Sequence, residues 1–132
     1  MPDPCPCGSK RDYDACCGGF HSGVSVPETA EELMRSRYSA YVRQAMDYIE
    51  ETLWPAKRRH FDRQAAERWA SESAWVGLSV LKTEAGGKDD ARGTVLFMAR
   101  FFSGGDMHEH RELSLFRKKG GRWYYVEGLP ES

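Results

Sequence analysis

All four cysteines of this 132-residue chain stand within its first 17 positions, as Cys5-x-Cys7 and, after eight further residues, Cys16-Cys17. The surrounding 26 residues are rich in Gly, Pro and Ser and poor in aliphatics, so burial alone will not hold them and a staple is required. Two close thiol pairs separated by a loop supply the four soft donors of a tetrahedral zinc site. Such a site has no open position for chemistry and is structural. Disulfides are the alternative. They need an oxidising compartment, and a Cys16–Cys17 bridge would join Cα atoms about 3.8 Å apart, closer than disulfides usually span. Cys5, Cys7, Cys16 and Cys17 are therefore the candidate ligands, with His21 the alternative to Cys17. Zinc is the expected ion, and tetrathiolate sites also accept iron.

The change in composition after residue 26 divides the chain into a zinc-binding module over 1–26 and an ordinary globular domain over 27–132. Hydrophobic residues make up 40% and aromatics 12%, which excludes a fully disordered chain. Nineteen basic against 20 acidic residues leave a formal net charge of -1. That argues against a chain whose main task is to coat nucleic acid or an anionic membrane. No apolar run reaches the ~20 residues of a membrane span. The start, Met1-Pro2-Asp3-Pro4-Cys5, has neither a basic nor an apolar leader region, so the expected location is cytoplasmic.

Thr29-Ala30-Glu31-Glu32 reads as a capping box. Leu33, Met34, Arg37, Tyr38, Tyr41, Ala45, Tyr48 and Ile49 then recur at helical spacing, predicting one helix to about residue 53, ahead of Pro55. A shorter helix is expected over residues 61–71. The period then changes to two. Strands are expected over 75–81, over 94–102, through His108, His110, Glu112, Ser114 and Phe116, and over 123–126, with Gly-rich turns between them. Helices followed by an antiparallel meander predict an α+β fold: a cone-like curved sheet packed on helices, preceded by the zinc knuckle.

Cys5-Pro6-Cys7-Gly8-Ser9, Tyr13, Cys16-Cys17-Gly18 and His21 together resemble the SEC-C motif, the zinc-binding tail of the SecA translocation motor. Leu33-Met34-Arg35-Ser36-Arg37-Tyr38-Ser39-Ala40-Tyr41, Glu112-x-Ser114-x-Phe116 and Gly121-Arg122-Trp123-Tyr124-Tyr125-Val126-x-Gly128 resemble the YchJ-like family of bacterial proteins. That resemblance implies a nuclear transport factor 2-like cone and no enzymatic activity. The likeness to the SecA tail, which contacts a chaperone and the ribosome, implies a protein or ribonucleoprotein partner. Two positions depart from the family pattern. Lys10-Arg11 replaces the usual Gly-Lys, so the backbone freedom of glycine is lost at Lys10 and the local turn is open to change. Arg111 stands where a histidine is usual.

The candidate chemistry in the cone is Glu112 with His110. By alternation His108, His110, Glu112, Ser114 and Phe116 share a face, and a carboxylate beside an imidazole in an apolar cup can transfer protons. The preferred reading is structural: Glu112 forms a buried ion pair with Arg35 or Arg37. Those two arginines are two apart and cannot share a helix face. Lys10-Arg11, Lys57-Arg58-Arg59-His60 and Arg117-Lys118-Lys119 with Arg122 are basic clusters. They read as solvated loops, with RNA or ribosome contact the functional alternative. The leading functional reading is a zinc-binding adaptor whose knuckle presents Lys10, Arg11, Tyr13 and Phe20 to a partner. The alternatives are a small-molecule binder or proton-transfer enzyme using the cone, and a homodimeric scaffold.

Overall fold

Thr29 starts the main helical layer as its residue type demands, its hydroxyl accepting the Glu32 amide at 3.1 Å. The Glu32 carboxylate accepts the Glu28 amide at 2.8 Å, one residue earlier than the capping box reaches. In the computed structural model, which describes residues 3–131, helix α1 (Cys17–Ser22) precedes α2 (Ala30–Arg43), α3 (Met46–Glu51) and α4 (Arg63–Glu72). Strands β1 (Ala74–Ala85), β2 (Arg92–Ser103), β3 (Asp106–Lys119) and β4 (Arg122–Leu129) follow. Among the described residues, no helix is long and apolar enough to cross a membrane.

The expected single helix to residue 53 is two helices. Gln44 takes a left-handed φ of 59°, and the Ala45 amide turns back to the Ala40 carbonyl at 2.8 Å. This is a helix C-terminus of the kind glycine usually makes. Left-handed backbone on a residue with a side chain costs roughly 1–2 kcal/mol. The turn redirects the chain so that Met46, Tyr48 and Ile49 become buried in α3. The next helix starts at Arg63 rather than residue 61, because Asp62 caps it by accepting the Ala65 amide at 3.0 Å. A 3-10 stretch, Pro55–His60, fills the interval.

The strands form an antiparallel meander in the order β1-β2-β3-β4. The β2–β3 register runs unbroken from Arg92↔Arg117 to Ser103↔Asp106. Register shifts at Trp75/Gly77 and Val80/Lys82 in β1, and at Leu115/Phe116 in β3, bend the strands. Bulges of this kind curve a sheet, and the concave face receives α2. Leu33 and Ile49 from the helices meet Val95 and Phe116 from the sheet, each no more than 1% exposed. Segment 52–54 is tied to β4 by the Tyr125 amide on the Thr52 carbonyl and the Trp54 amide on the Tyr125 carbonyl, both at 2.8 Å. Toward the opposite edge of the sheet, in the same cross-strand row, two glycines cross. A Cβ on Gly93 would lie 2.4 Å from the Gly86 Cα, and the Gly86 carbonyl accepts the Ala30 amide at 2.9 Å.

Candidate functional site

The thiols of Cys5, Cys7, Cys16 and Cys17 lie within 4.8 Å of one another. The Cys7 and Cys16 sulfurs are 3.7 Å apart. Four sulfurs at about 2.3 Å from one zinc ion would stand about 3.8 Å apart along a tetrahedral edge, so the donor set fits a tetrahedral metal. Three of the cysteines are buried and Cys16 is partly exposed. Crowding splits their acidities. The hydrogen bond with Cys17, assisted by Ser9 and opposed by burial, brings Cys7 down to about 4. The same bond, and then burial, pushes Cys17 far up. Burial leads in pushing Cys16 up. Four thiolates in so small a space need a cation to offset their charge.

The module sits on α2. The Ser39 hydroxyl lies 3.5 Å from the Cys5 sulfur, and Arg35 donates to the Cys7 carbonyl at 2.8 Å while pairing with Glu31 at 2.9 Å. Groups of this kind fix ligand orientation in metal sites. The His21 Nε2 donates to the Ser36 carbonyl at 2.8 Å, and its Nδ1 faces the Tyr13 hydroxyl. Both ring nitrogens are thus engaged away from the sulfurs. Arg43 pairs with Asp3 and lies over the Tyr13 ring, 3.9 Å from its centroid. Phe20 packs against the main core. Of the four residues expected on a contact face, Tyr13 and Phe20 therefore turn inward, and Lys10 and Arg11 remain exposed. Lys10 keeps a left-handed φ of 69°, so the turn of the glycine pattern survives without the glycine.

Between α2, α4 and the concave face lies a cavity of about 120 Å³. His110, Glu112, Ser114 and Phe116 line it, as alternation along β3 predicted. His108 does not; it is exposed, stacks on Phe101 and donates to the Ser103 carbonyl at 3.1 Å. Glu112 Oε2 accepts from the Ser114 hydroxyl at 2.5 Å and the Tyr125 hydroxyl at 2.8 Å, and Oε1 accepts from His110 Nε2 at 3.2 Å. Burial opposes the charged form, and the three donors outweigh it, so the Glu112 carboxyl sits below the usual carboxylate range.

The expected ion pair of Glu112 with Arg35 or Arg37 is not formed. Arg35 points to the cysteine module. Arg37 enters the cavity wall, donating through one nitrogen to the Ile49 carbonyl at 2.9 Å and the Thr52 hydroxyl at 2.6 Å. Its guanidinium lies over the Tyr125 ring, 4.7 Å from the centroid. The last turn of α3 and the Thr52 that follows it supply the acceptors that draw it away. Spacing identified Arg37 as a residue distinct from Arg35, but nothing in the sequence located its acceptors.

Two of the three basic clusters meet. Arg117 and Lys119 from β3 approach the Trp54 ring at 4.6 and 5.8 Å, and Arg58 approaches the adjoining Tyr124 ring at 5.8 Å. Lys57 is neutralised by Glu127 at 3.3 Å.

Comparison with known proteins agrees with this geometry. Residues 29–128 match the family described as YchJ, middle NTF2-like domain, and residues 1–19 match the SEC-C motif. A UPF0225 protein of Geobacter sulfurreducens is 42% identical over 128 residues, covering 97% of this chain and 80% of that protein. The solution structure of a SEC-C motif containing protein from Rhodopseudomonas palustris superposes with a TM-score of 0.88 at 43% identity, over 98% of this chain and 99% of the other. The crystal structure of a SEC-C motif containing protein from Psychrobacter arcticus gives 0.82 at 32% identity, over 94% and 80%.

Proposed function

The chain belongs to the YchJ-like family, with a SEC-C motif ahead of a nuclear transport factor 2-like domain, and from that premise we propose that it is a zinc-binding adaptor. In this reading Cys5, Cys7, Cys16 and Cys17 hold one zinc ion as a structural staple. The module over 1–26 is stapled to the body over 27–132, and its outer face contacts a protein or ribonucleoprotein partner in the cytoplasm. The observation that carries it is the sulfur cluster, whose mutual spacing of no more than 4.8 Å suits a closed tetrahedral site. Lys10 and Arg11 stand exposed beside it as the contact residues. Elemental analysis of the purified full chain should return one zinc per chain. One iron per chain would keep the staple and change the ion, and no metal would overturn both. Partners captured by the full chain and identified should be lost with Lys10→Glu/Arg11→Glu while the melting temperature is kept. Capture unaffected by that change would remove the contact role.

A second reading is favoured by a separate observation. Arg37, His110, Glu112 and Tyr125 converge on one cavity with an otherwise largely aromatic wall, which is the usual make-up of a small-molecule site. Here the cone binds a ligand and the module stabilises it.

A further inference from the structure

The cavity holds one cation and one carboxylate that are not paired with each other, and their remaining bonding capacity defines what can fill it. A carboxylate has about four acceptor positions. Glu112 uses three, two on Oε2 and one on Oε1, leaving one on Oε1. A guanidinium has five N–H donors. Arg37 spends two, both on one nitrogen, and among the described residues its other nitrogens have no acceptor. The Tyr125 ring separates the two groups, under the guanidinium on its face and bonded to Glu112 through its hydroxyl. The remaining wall is largely aromatic, Trp69, Phe97, Tyr38 and Tyr41 above all, with His110 and Ser114 beside Glu112 as its donors.

Charge decides the ligand's class. Arg37 and Glu112 sum to zero. An anion or a cation would leave one of them facing a like charge, and burying an unpaired charge is costly. A zwitterion would have to shed the hydration of two charges to enter an aromatic cup. Size is bounded too: an apolar cavity of about 150 Å³ takes benzene, so about 120 Å³ makes one six-membered ring the upper limit, with its substituents toward the mouth where His110 is partly exposed.

We infer that this cavity binds a small, planar, uncharged ring bearing both an N–H donor and a carbonyl acceptor, of the lactam or pyrimidinone class. The N–H meets the free position on Glu112 Oε1, the carbonyl meets the free donors of Arg37, and the ring lies against Trp69 and Phe97. This rests on the second reading above, that the cone is a ligand site.

The experiment is titration of the isotope-labelled full chain by NMR with five probes: uracil, pyrimidine, proline, benzoate and benzylammonium. Uracil should bind with a Kd on the order of 0.1–1 mM, as a ligand of eight heavy atoms permits. Its shifts should map to Ala99, Glu112 and Trp69. Pyrimidine, which lacks the donor, should bind at least about tenfold more weakly, since a site built for a hydrogen bond rejects the analogue without it. Ala99→Leu, which fills the cavity from β2, should abolish the uracil shifts. Stronger binding of proline, benzoate or benzylammonium at the same residues would overturn the neutral-ring class while keeping the cavity as a site. Silence from all five probes would overturn both. Uracil shifts that map elsewhere, or that survive Ala99→Leu in a folded protein, would overturn the location.

Discussion

Replacing Glu112 with Gln isolates the charge of the cavity carboxylate at nearly constant shape. Hydrogen bonds to a charged group contribute about 1.5–3 kcal/mol and neutral ones about 0.5–1.5, so each bond loses about 1–1.5 kcal/mol on neutralisation. Two short hydroxyl bonds, at 2.5 and 2.8 Å, carry the effect. The His110 bond is longer, at 3.2 Å, and that imidazole is 38% exposed, so it adds little. The sum is about 2–3 kcal/mol. Relief from burying a charge, the largest single influence on this group, acts in the opposite direction and takes back part of that sum. The carboxyl nonetheless sits below its ordinary range, so the folded state prefers the charged form and the net effect of Glu112→Gln is destabilising, by about 1 kcal/mol. A loss of that size lowers Tm by roughly 3–5 °C in a chain of this size. Because the folded pKa lies below the unfolded value of about 4.3, the stabilisation is fully present above that pH and fades as pH falls through the folded value. Thermal melts of the two proteins should therefore differ by a constant amount from pH 9 to 8, above the range in which histidines change charge, and converge below about pH 4. Arg37 from α2, Tyr125 from β4 and His110 from β3 face the same carboxylate, so the gap between those limits carries the His110 pair as well. A variant as stable as the parent at pH 8, or a gap that persists well below pH 4, would refute the reasoning.

Stripping the metal from the full chain with a chelator at pH 7 should cost more than about 3 kcal/mol and make the buried thiols reactive, since structural zinc contributes folding energy directly; unchanged melting and thiol reactivity would remove the staple. Lys10→Gly relieves a left-handed residue with φ of 69° and, after the added chain entropy of glycine, should stabilise by about 0.5–1 kcal/mol in urea denaturation. A loss instead would mean that the lysine side chain holds the turn. Gly93→Ala places a methyl 2.4 Å from the Gly86 backbone and should destabilise by about 2–3 kcal/mol, read from the same denaturation midpoint. Tolerance of alanine there would mean the hairpin end can open without cost.

What could be read from the residues was whatever depends on short spacing. The thiol pairs sit close in sequence, so the loop between Cys7 and Cys16 brings them together whatever the rest does. Alternation placed His110, Glu112, Ser114 and Phe116 on one face, and the cavity wall agrees. His108 shares the parity but lies near the turn, where the sheet ends and no helix covers it. The break at Gln44 was not legible, because no glycine or proline marks it between residues 28 and 54; tertiary burial of Ile49 and Tyr48 holds an otherwise unfavourable turn. The inward positions of Tyr13 and Phe20 were not legible either. An aromatic in a small Gly-rich segment looks exposed until the surface it covers is known.

That surface is α2, which has two buried sides. Met34, Tyr38 and Tyr41 carry bulk toward the sheet, the pattern that marks an amphipathic helix. Ser36 and Ser39, both 0% exposed, face the other way. Apolar periodicity assigns serines to solvent, yet small hydroxyls are what a close-docking module requires. Ser39 reaches the Cys5 sulfur, and the Ser36 carbonyl takes the His21 imidazole while its hydroxyl sits 2.6 Å from the Tyr48 hydroxyl. Between these two serines, Arg37 leaves the same helix for the cavity. The cysteine cluster and the cavity are thus both contacted by neighbouring residues of a single helix. Loss of the module would strip His21 from the Ser36 carbonyl and Cys5 from the Ser39 hydroxyl, while leaving the Arg37 bonds to Ile49 and Thr52 in place. A helix built for one buried face could stand without the cysteine module. With two, it is fully satisfied only when the module is docked.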